Sequence, residues 1–225
     1  IINIIGVKVN VSGLPEKRNT LFVSNHISYL DIIVYGSLIN TAFVAKSEIK
    51  KWPMINKLCT IAKTIFVDRN NIRSLRNQIS LIEKSLQKGS NVLFFPEGTS
   101  SDGSNVLRFK SSLFSIIETK KLEDFYIQPV SLSYNKLDGL PLNKSYRPFL
   151  AWFGGMDLFS HLWKFLGLGT SEVKVNFHKA KKFSSFSNRK DACSFCYEKI
   201  SEQLDNDHHS IEINNKLKLY ELKFL

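Results

Sequence analysis

The chain has 225 residues, about one and a half times a common domain of roughly 150, so one domain with elaborations is the first expectation. Apolar residues make up 43% and charged residues 23%, which excludes a disordered, collagenous or multi-span membrane chain. Lys and Arg number 31 against 20 acidic residues, a formal charge of +11, so an anion is expected nearby: nucleic acid, an anionic membrane or a phosphorylated substrate.

Val7, Val9 and Val11 alternate with Lys8 and Asn10 and stop at Gly13 and Pro15, predicting a half-exposed strand and a turn. Thr20 to Ser24 is a short apolar run, a buried strand. Ser28 to Gly36 predicts a helix with Ser28 available as its N-cap. Ala42 to Ala45 and Thr64 to Val67 predict two further buried strands, separated by a Lys-rich segment containing Pro53. Between Asn71 and Lys88 the apolar residues Ile72, Leu75, Ile79, Ile82 and Leu86 recur at helical spacing, with Gly89 as a stop. Asn91 to Phe95 predicts a strand running into the turn Pro96 to Thr99. Phe109 to Lys120 predicts a helix, and Tyr126 to Tyr134 and Glu172 to Phe177 predict strands.

Alternating strands and helices with several wholly apolar strands predict an α/β fold, a single domain whose mixed, largely buried central sheet is flanked by helices. That domain is expected to span 1–204. Residues 205–225, rich in Asn, Lys, His and Leu without a pattern, read as a poorly defined tail.

Cys59, Cys193 and Cys196 cannot form a closed disulfide framework, which favours a reducing compartment. Cys193-x2-Cys196 followed by His208 and His209 lacks the second-histidine spacing of a zinc finger. With Ala192, Phe195, Ile200 and Leu204 the second cysteine makes a helical stripe, so buried core cysteines are expected and no metal. No stretch of 18 uncharged apolar residues is present to span a bilayer. The first residue is Ile rather than Met, so the true N-terminus is expected to lie upstream. Pro148 to Leu168 is the most hydrophobic stretch, broken by Asp157, His161 and Lys164. It suits either an interfacial membrane surface or a core helix with a covering loop. Basic residues are spread along the chain with no stacking or recognition-helix motif, so no nucleic-acid partner is expected.

Four clusters could carry chemistry. Asn25-His26-x4-Asp31 falls where an apolar strand gives way to a helix. A neutral imidazole can take a proton from an alcohol if its other ring nitrogen is held by an acceptor, and Asp31, one turn into the helix, can fold back to do so. The same two residues could equally be a loop histidine and a solvated first-turn acid. Phe95-Pro96-Glu97-Gly98-Thr99 crowds a carboxylate, a glycine and hydroxyls at a strand end. There Gly98 admits close backbone approach, and Glu97 could accept from a substrate hydroxyl or fix an arginine; a turn without a ligand is the alternative. Asp68-Arg69 ends another strand, where Arg69 could clamp an anion or form a surface ion pair. Arg108 and Lys110 oppose the dipole of the helix predicted after them unless an anion sits there.

In order and spacing these blocks resemble the glycerolipid acyltransferases of the H-x4-D type, the 1-acylglycerol-3-phosphate acyltransferase family. Asn25-His26-x4-Asp31, Ile65-Phe66-Val67-Asp68-Arg69, Phe95 to Thr99 and Ile127-Gln128-Pro129-Val130 match four family blocks in family order. The resemblance implies acyl transfer from an acyl thioester, acyl-CoA or acyl carrier protein, to a hydroxyl of a lysophospholipid acceptor. His26 is then the base and Asp31 its partner, in an arrangement similar to that of serine hydrolases with the substrate alcohol in place of serine. Arg69, Glu97, Gly98, Thr99 and Lys110 would bind the acceptor. Neither cofactor nor metal is implied.

Lys63 and Ser111-Ser112 depart from glycine-containing positions of many members and bear on the acceptor pocket. Trp152 to Trp163 is similar to a segment of the bacterial branch that acylates lyso-ornithine lipid. The first expected acceptor is 1-acylglycerol 3-phosphate, with lyso-ornithine lipid or glycerol 3-phosphate next. A non-catalytic basic lipid- or nucleic-acid-binding protein is the alternative of another class. The expected location is the cytoplasmic face of the bacterial inner membrane, on an anionic lipid surface, either peripheral or held by an upstream anchoring segment that the resemblance implies.

Overall fold

The computed structural model describes residues 2–17, 19–46, 64–67, 72–119 and 122–221. The strands are β1 (Val7–Ser12), β2 (Thr20–Ser24), β3 (Thr41–Lys46), β4 (Ile65–Val67), β5 (Asn91–Phe94), β6 (Tyr126–Leu137), β7 (Leu140–Pro141), β8 (Ser171–Phe177) and β9 (Lys181–Lys182). The α-helices are α1 (Leu30–Leu38), α2 (Ile72–Gln87), α3 (Leu158–Leu166) and α4 (Arg189–Glu221).

The sheet runs in the order β1-β8-β6-β2-β5-β3-β4, with β7 and β9 pairing on β6. β6, β2, β5, β3 and β4 are parallel to their neighbours in that run. Parallel neighbours need a crossover, and α1 between β2 and β3 and α2 between β4 and β5 supply two. β8 is antiparallel to β6 and parallel to β1, which makes the sheet mixed. Every residue of β2 and β5 is buried, as strands covered on both faces must be. β1 is an edge strand whose Val7 is buried while Lys8 and Asn10 to Ser12 are exposed.

Strand alternation divides the core in two. On one face Leu21, Val23, Val92, Phe94 and Ile127 pack with Ile82 and Leu86 of α2 and with Ala192, Cys196, Ile200 and Leu204 of α4. On the other, Phe22, Leu93, Val130, Leu132, Val173 and Val175 pack with Leu30 and Val34 of α1 and Phe165 of α3. A side chain of this size taken fully out of water contributes roughly 1.5–3 kcal/mol. Cys193 and Cys196 are free thiols within the first face. Among the described residues no group of His, Cys, Asp and Glu could hold a metal ion.

Gly89, at φ +79°, stops α2 where the periodicity predicts, with Ser90 N–H returning to the Ser85 carbonyl. The segment predicted as a helix from Phe109 is instead a 3-10 helix, Ser111–Glu118. Ser115 Oγ donates to the Ser112 carbonyl at 2.8 Å, the local competition by which serine weakens a helix interior. The predicted tail from residue 205 is also different: α4 continues through it to Glu221, and Asp207 and Ile211 are buried. No helix among the described residues is long and apolar enough to cross a membrane.

Candidate active site

β2 and β5 lie side by side in parallel, with Val23 opposite Phe94. Both strands end at the same edge of the sheet, which brings the residues just beyond them, His26 and Glu97, together although they are 71 positions apart. This is the edge at which open α/β sheets hold their ligands.

The loop after β2 is built around one carboxylate. Asp31 is wholly buried, and its Oδ2 accepts from His26 Nδ1 at 2.9 Å, the Ile27 N–H at 2.7 Å and the Ser28 N–H at 3.0 Å. Its Oδ1 accepts from the Tyr134 hydroxyl at 2.9 Å. A carboxylate among donors can only accept, so the imidazole carries its proton on Nδ1 and leaves the lone pair on Nε2. The His26 ring stacks on Phe95, with centroids 4.1 Å apart and planes 17° apart. Its side chain keeps 20% of its surface exposed while Asp31 keeps none, so the imidazole links a buried charge to the surface.

Asn25 anchors this loop to β6 by imitating a strand residue. Its Nδ2 donates to the Leu132 carbonyl at 2.8 Å, and its Oδ1 accepts the Leu132 N–H at 2.9 Å. Ser28, predicted as the N-cap of α1, does not cap it. The helix begins one residue later with no side-chain cap, and the buried Ser28 Oγ has no hydrogen-bond partner among the described residues. The Asp31 carboxylate turns back to the N–H groups of Ile27 and Ser28, in the loop that carries the histidine.

Glu97 is buried, and its two oxygens are used within the protein: Oε1 accepts the His26 N–H at 2.8 Å and Oε2 the Leu107 N–H at 2.9 Å. The geometry makes it a clamp between the two loops, where the sequence assigns it to the acceptor. Burial pushes its carboxyl up to about 8, the two backbone N–H groups pull the other way, and the Asp31 charge adds to the rise. The Ser101 N–H donates to the His26 carbonyl at 2.9 Å and closes the loop contact.

Gly98 is buried in the turn at φ +79°, a left-handed conformation that glycine adopts without strain. Thr99 is exposed beside it. Lys110 has an exposed side chain, while its N–H donates to the Pro96 carbonyl at 3.0 Å and ties the segment after Phe109 to the same turn. β4 ends at this edge, and Arg69, two residues beyond it, lies outside the described residues. The structure thus unites His26, Asp31 and Glu97 and places Gly98, Thr99 and Lys110 on the adjoining turn. Tyr134 and Tyr29 went unnoticed in the sequence. Tyr134 shares the strand alternation of Val130 and Leu132, which is the one sign that its ring belongs to the His26 face. Tyr29 reaches His161 of α3, its hydroxyl 3.1 Å from Nδ1, and no sequence pattern links them.

Residues 8–133 match the acyltransferase family model, and the chain belongs to the acyltransferase family. It is an enzyme that transfers acyl groups. It is similar to the lyso-ornithine lipid O-acyltransferase of Rhizobium meliloti, 35% identical over 208 residues that cover 90% of this chain and 71% of that protein. Similarity to the 1-acyl-sn-glycerol-3-phosphate acyltransferase of Neisseria gonorrhoeae is 33% over 174 residues, covering 77% of this chain and 64% of that one. The crystal structure of the 1-acyl-sn-glycerophosphate acyltransferase PlsC from Thermotoga maritima superposes with a TM-score of 0.65 at 25% identity, covering 91% of this chain and 74% of that chain.

Proposed function

We propose that this enzyme moves a fatty acyl group from an acyl thioester, acyl-CoA or acyl carrier protein, to a hydroxyl of a lysolipid. The observation that carries the reading is the pair His26 and Asp31, with Nδ1 held by a buried carboxylate. Nε2 takes the proton of the acceptor hydroxyl as that oxygen attacks the thioester carbonyl. The carbon–sulfur bond then breaks, and the imidazolium returns the proton to the departing thiolate. No acyl-enzyme is needed, and no cofactor or metal enters these steps.

Lyso-ornithine lipid is the first acceptor to test, because the similarity to lyso-ornithine lipid O-acyltransferases runs over 90% of the chain against 77% for the Neisseria gonorrhoeae relative. The second is 1-acylglycerol 3-phosphate, which the Phe95 to Thr99 block and the Thermotoga maritima structure favour. Purified protein assayed with acyl-CoA and acyl carrier protein against both acceptors, beside His26→Ala, decides the matter. Turnover falling at least about 100-fold in His26→Ala supports the dyad. Unchanged turnover sinks it.

The same reading has the enzyme working on an anionic lipid surface at the cytoplasmic face of the inner membrane. Phe159, Trp163 and Leu166 are exposed along one side of α3, and Tyr146 and Phe149 pack together nearby with exposed rings. The rings and the exposed Lys164 beside them suit the interfacial zone of a bilayer, and the +11 charge suits anionic lipid. The free thiols Cys193 and Cys196 fit a reducing compartment. In vesicle flotation at low salt, Trp163→Ser is expected to cut binding to anionic liposomes several-fold; wild-type protein that does not float argues against the surface.

A further inference from the structure

We infer that Tyr134 is a positioning residue of the reaction: its hydroxyl, delivered from β6, orients Asp31 and sets how strongly His26 holds a proton. The inference rests on the reading of His26 as the base. Three donors converge on Asp31 Oδ2, whereas Tyr134 is the one donor to Oδ1 among the described residues. The carboxylate sits in a wholly buried position, where an unsatisfied lone pair is costly and the plane of the group is fixed by whoever holds its second oxygen. Without that bond Oδ1 is left buried with its charge unspread, while the three donors keep Oδ2 against Nδ1.

The strand makes the placement rigid. β6 is in register with β2, with Val130 opposite Ser24, and Asn25 pairs with Leu132 through two hydrogen bonds. Tyr134 lies one alternation further along the same face, 103 positions from the aspartate in sequence. Its ring is buried with those of Phe22, Tyr35 and Phe177. Burial, followed by the charge on Asp31, keeps the phenol protonated well above its ordinary range, so it is a donor throughout the working pH range.

The other ionisable groups about the pair are few. Glu97 meets the His26 backbone, Tyr35 from α1 lies near the Asp31 charge, and Tyr29 from the loop lies near Tyr134. Asp102, Arg147 and His208 line a cavity of about 10 Å³ on the side of Tyr134, together with Ile27 and Gly103. Among them Tyr134 alone reaches the carboxylate with a side-chain donor besides His26 itself.

The sign of the effect follows. A phenol hydrogen bond spreads the negative charge of Asp31 and weakens its pull on the imidazolium. Removing it concentrates that charge, so His26 becomes more basic and the acidic limb of kcat/KM moves to higher pH.

The test is Tyr134→Phe in the full chain, measured in two ways. Nitrogen NMR of the His26 imidazole reads its titration with no substrate present, so it stands even if the acyl-transfer reading fails; His26→Ala tests that reading separately. The expected result is an upward shift of the His26 midpoint by about half a pH unit or more, a matching shift of the acidic limb, and kcat reduced about tenfold. A superimposable titration overturns the inference, and so does a loss of activity with no shift, which is what a merely structural role would give. Should Tyr134→Phe fail to fold, difluorotyrosine at 134 keeps the shape and strengthens the donor. The midpoint must then move down, and no change or an upward move overturns the inference.

Discussion

Asp31 and Asp207 are both buried carboxylates, one on each face of the same sheet, and they are neutralised in opposite ways. Asp31 is met by an imidazole, two backbone N–H groups and a phenol, and none of these is a permanent cation. Asp207, on α4, is met by the Lys174 ammonium, with Gln203, Ser133 and Asn176 completing its shell. A carboxylate paired with a lysine is a closed ion pair that pins a helix to a sheet. A carboxylate surrounded by neutral donors stays available to a charge that appears only when the imidazole accepts a proton. The difference between a clasp and a site is the partner, not the depth of burial.

The strongest way to break the comparison is Asp31→Asn. The amide can no longer accept from all its donors or stabilise an imidazolium, so turnover is expected to fall about 10²–10⁴-fold with the fold retained. Activity within threefold of wild type would put Asp31 in the same class as Asp207. Conversely, Asp207→Ala takes the carboxylate from the Lys174 ammonium and the Ser133 hydroxyl and is expected to cost about 2–4 kcal/mol in urea unfolding. Its turnover per folded molecule should stay near wild type; if stability is unchanged, the clasp is decorative.

Glu97 lies between the two types, with two backbone donors and no cation. It ionises near 4.5 as a free side chain and, held by burial, near about 8 in the fold. Between those values the folded chain keeps a proton that the unfolded chain has lost. Its contribution is therefore fully present below about pH 4.5 and is lost as pH rises through about 8, with a slope of at most about 1.4 kcal/mol per pH unit. Glu97→Gln, which cannot ionise, should flatten that part of the stability curve in denaturant titrations from pH 5 to 8. An unaltered slope would show that Glu97 is charged throughout.

Ser28→Ala gives the smallest effect. A true N-cap would lose roughly 0.5–2 kcal/mol, whereas a hydroxyl without a partner costs nothing to remove, so the melting temperature should hold or rise slightly.

Much of the fold was legible. Thr20 to Ser24 and Asn91 to Phe94 are buried at every position, with apolar residues on both faces, because both sides of the sheet are covered. Gly89 closes α2 through a positive φ that the residue type announces. His26 and Asp31 were legible as a pair, since five residues across a strand–helix junction allow a contact within one loop. The misreadings arise where a local rule met a distant partner. Serine before a helix suggests a cap, but the Asp31 N–H goes to the Ser28 backbone carbonyl and the Ser28 hydroxyl caps nothing. Polar residues after 205 suggest a frayed tail, but Ser133 and Lys174, from strands far earlier in the chain, receive Asp207.

By itself, the sequence determined what short-range chemistry can determine: the strand and helix periods, the left-handed turns, and a histidine with a carboxylate five residues away. Only the tertiary structure decided that Glu97 clamps the loop backbone, that Tyr134 holds the second oxygen of Asp31, and that α4 is fastened through Asp207. Parallel register is the reason. It sets the ends of β2 and β5 side by side, with β6 running past them, and contacts across 71 to 103 positions depend on that register and on no local pattern.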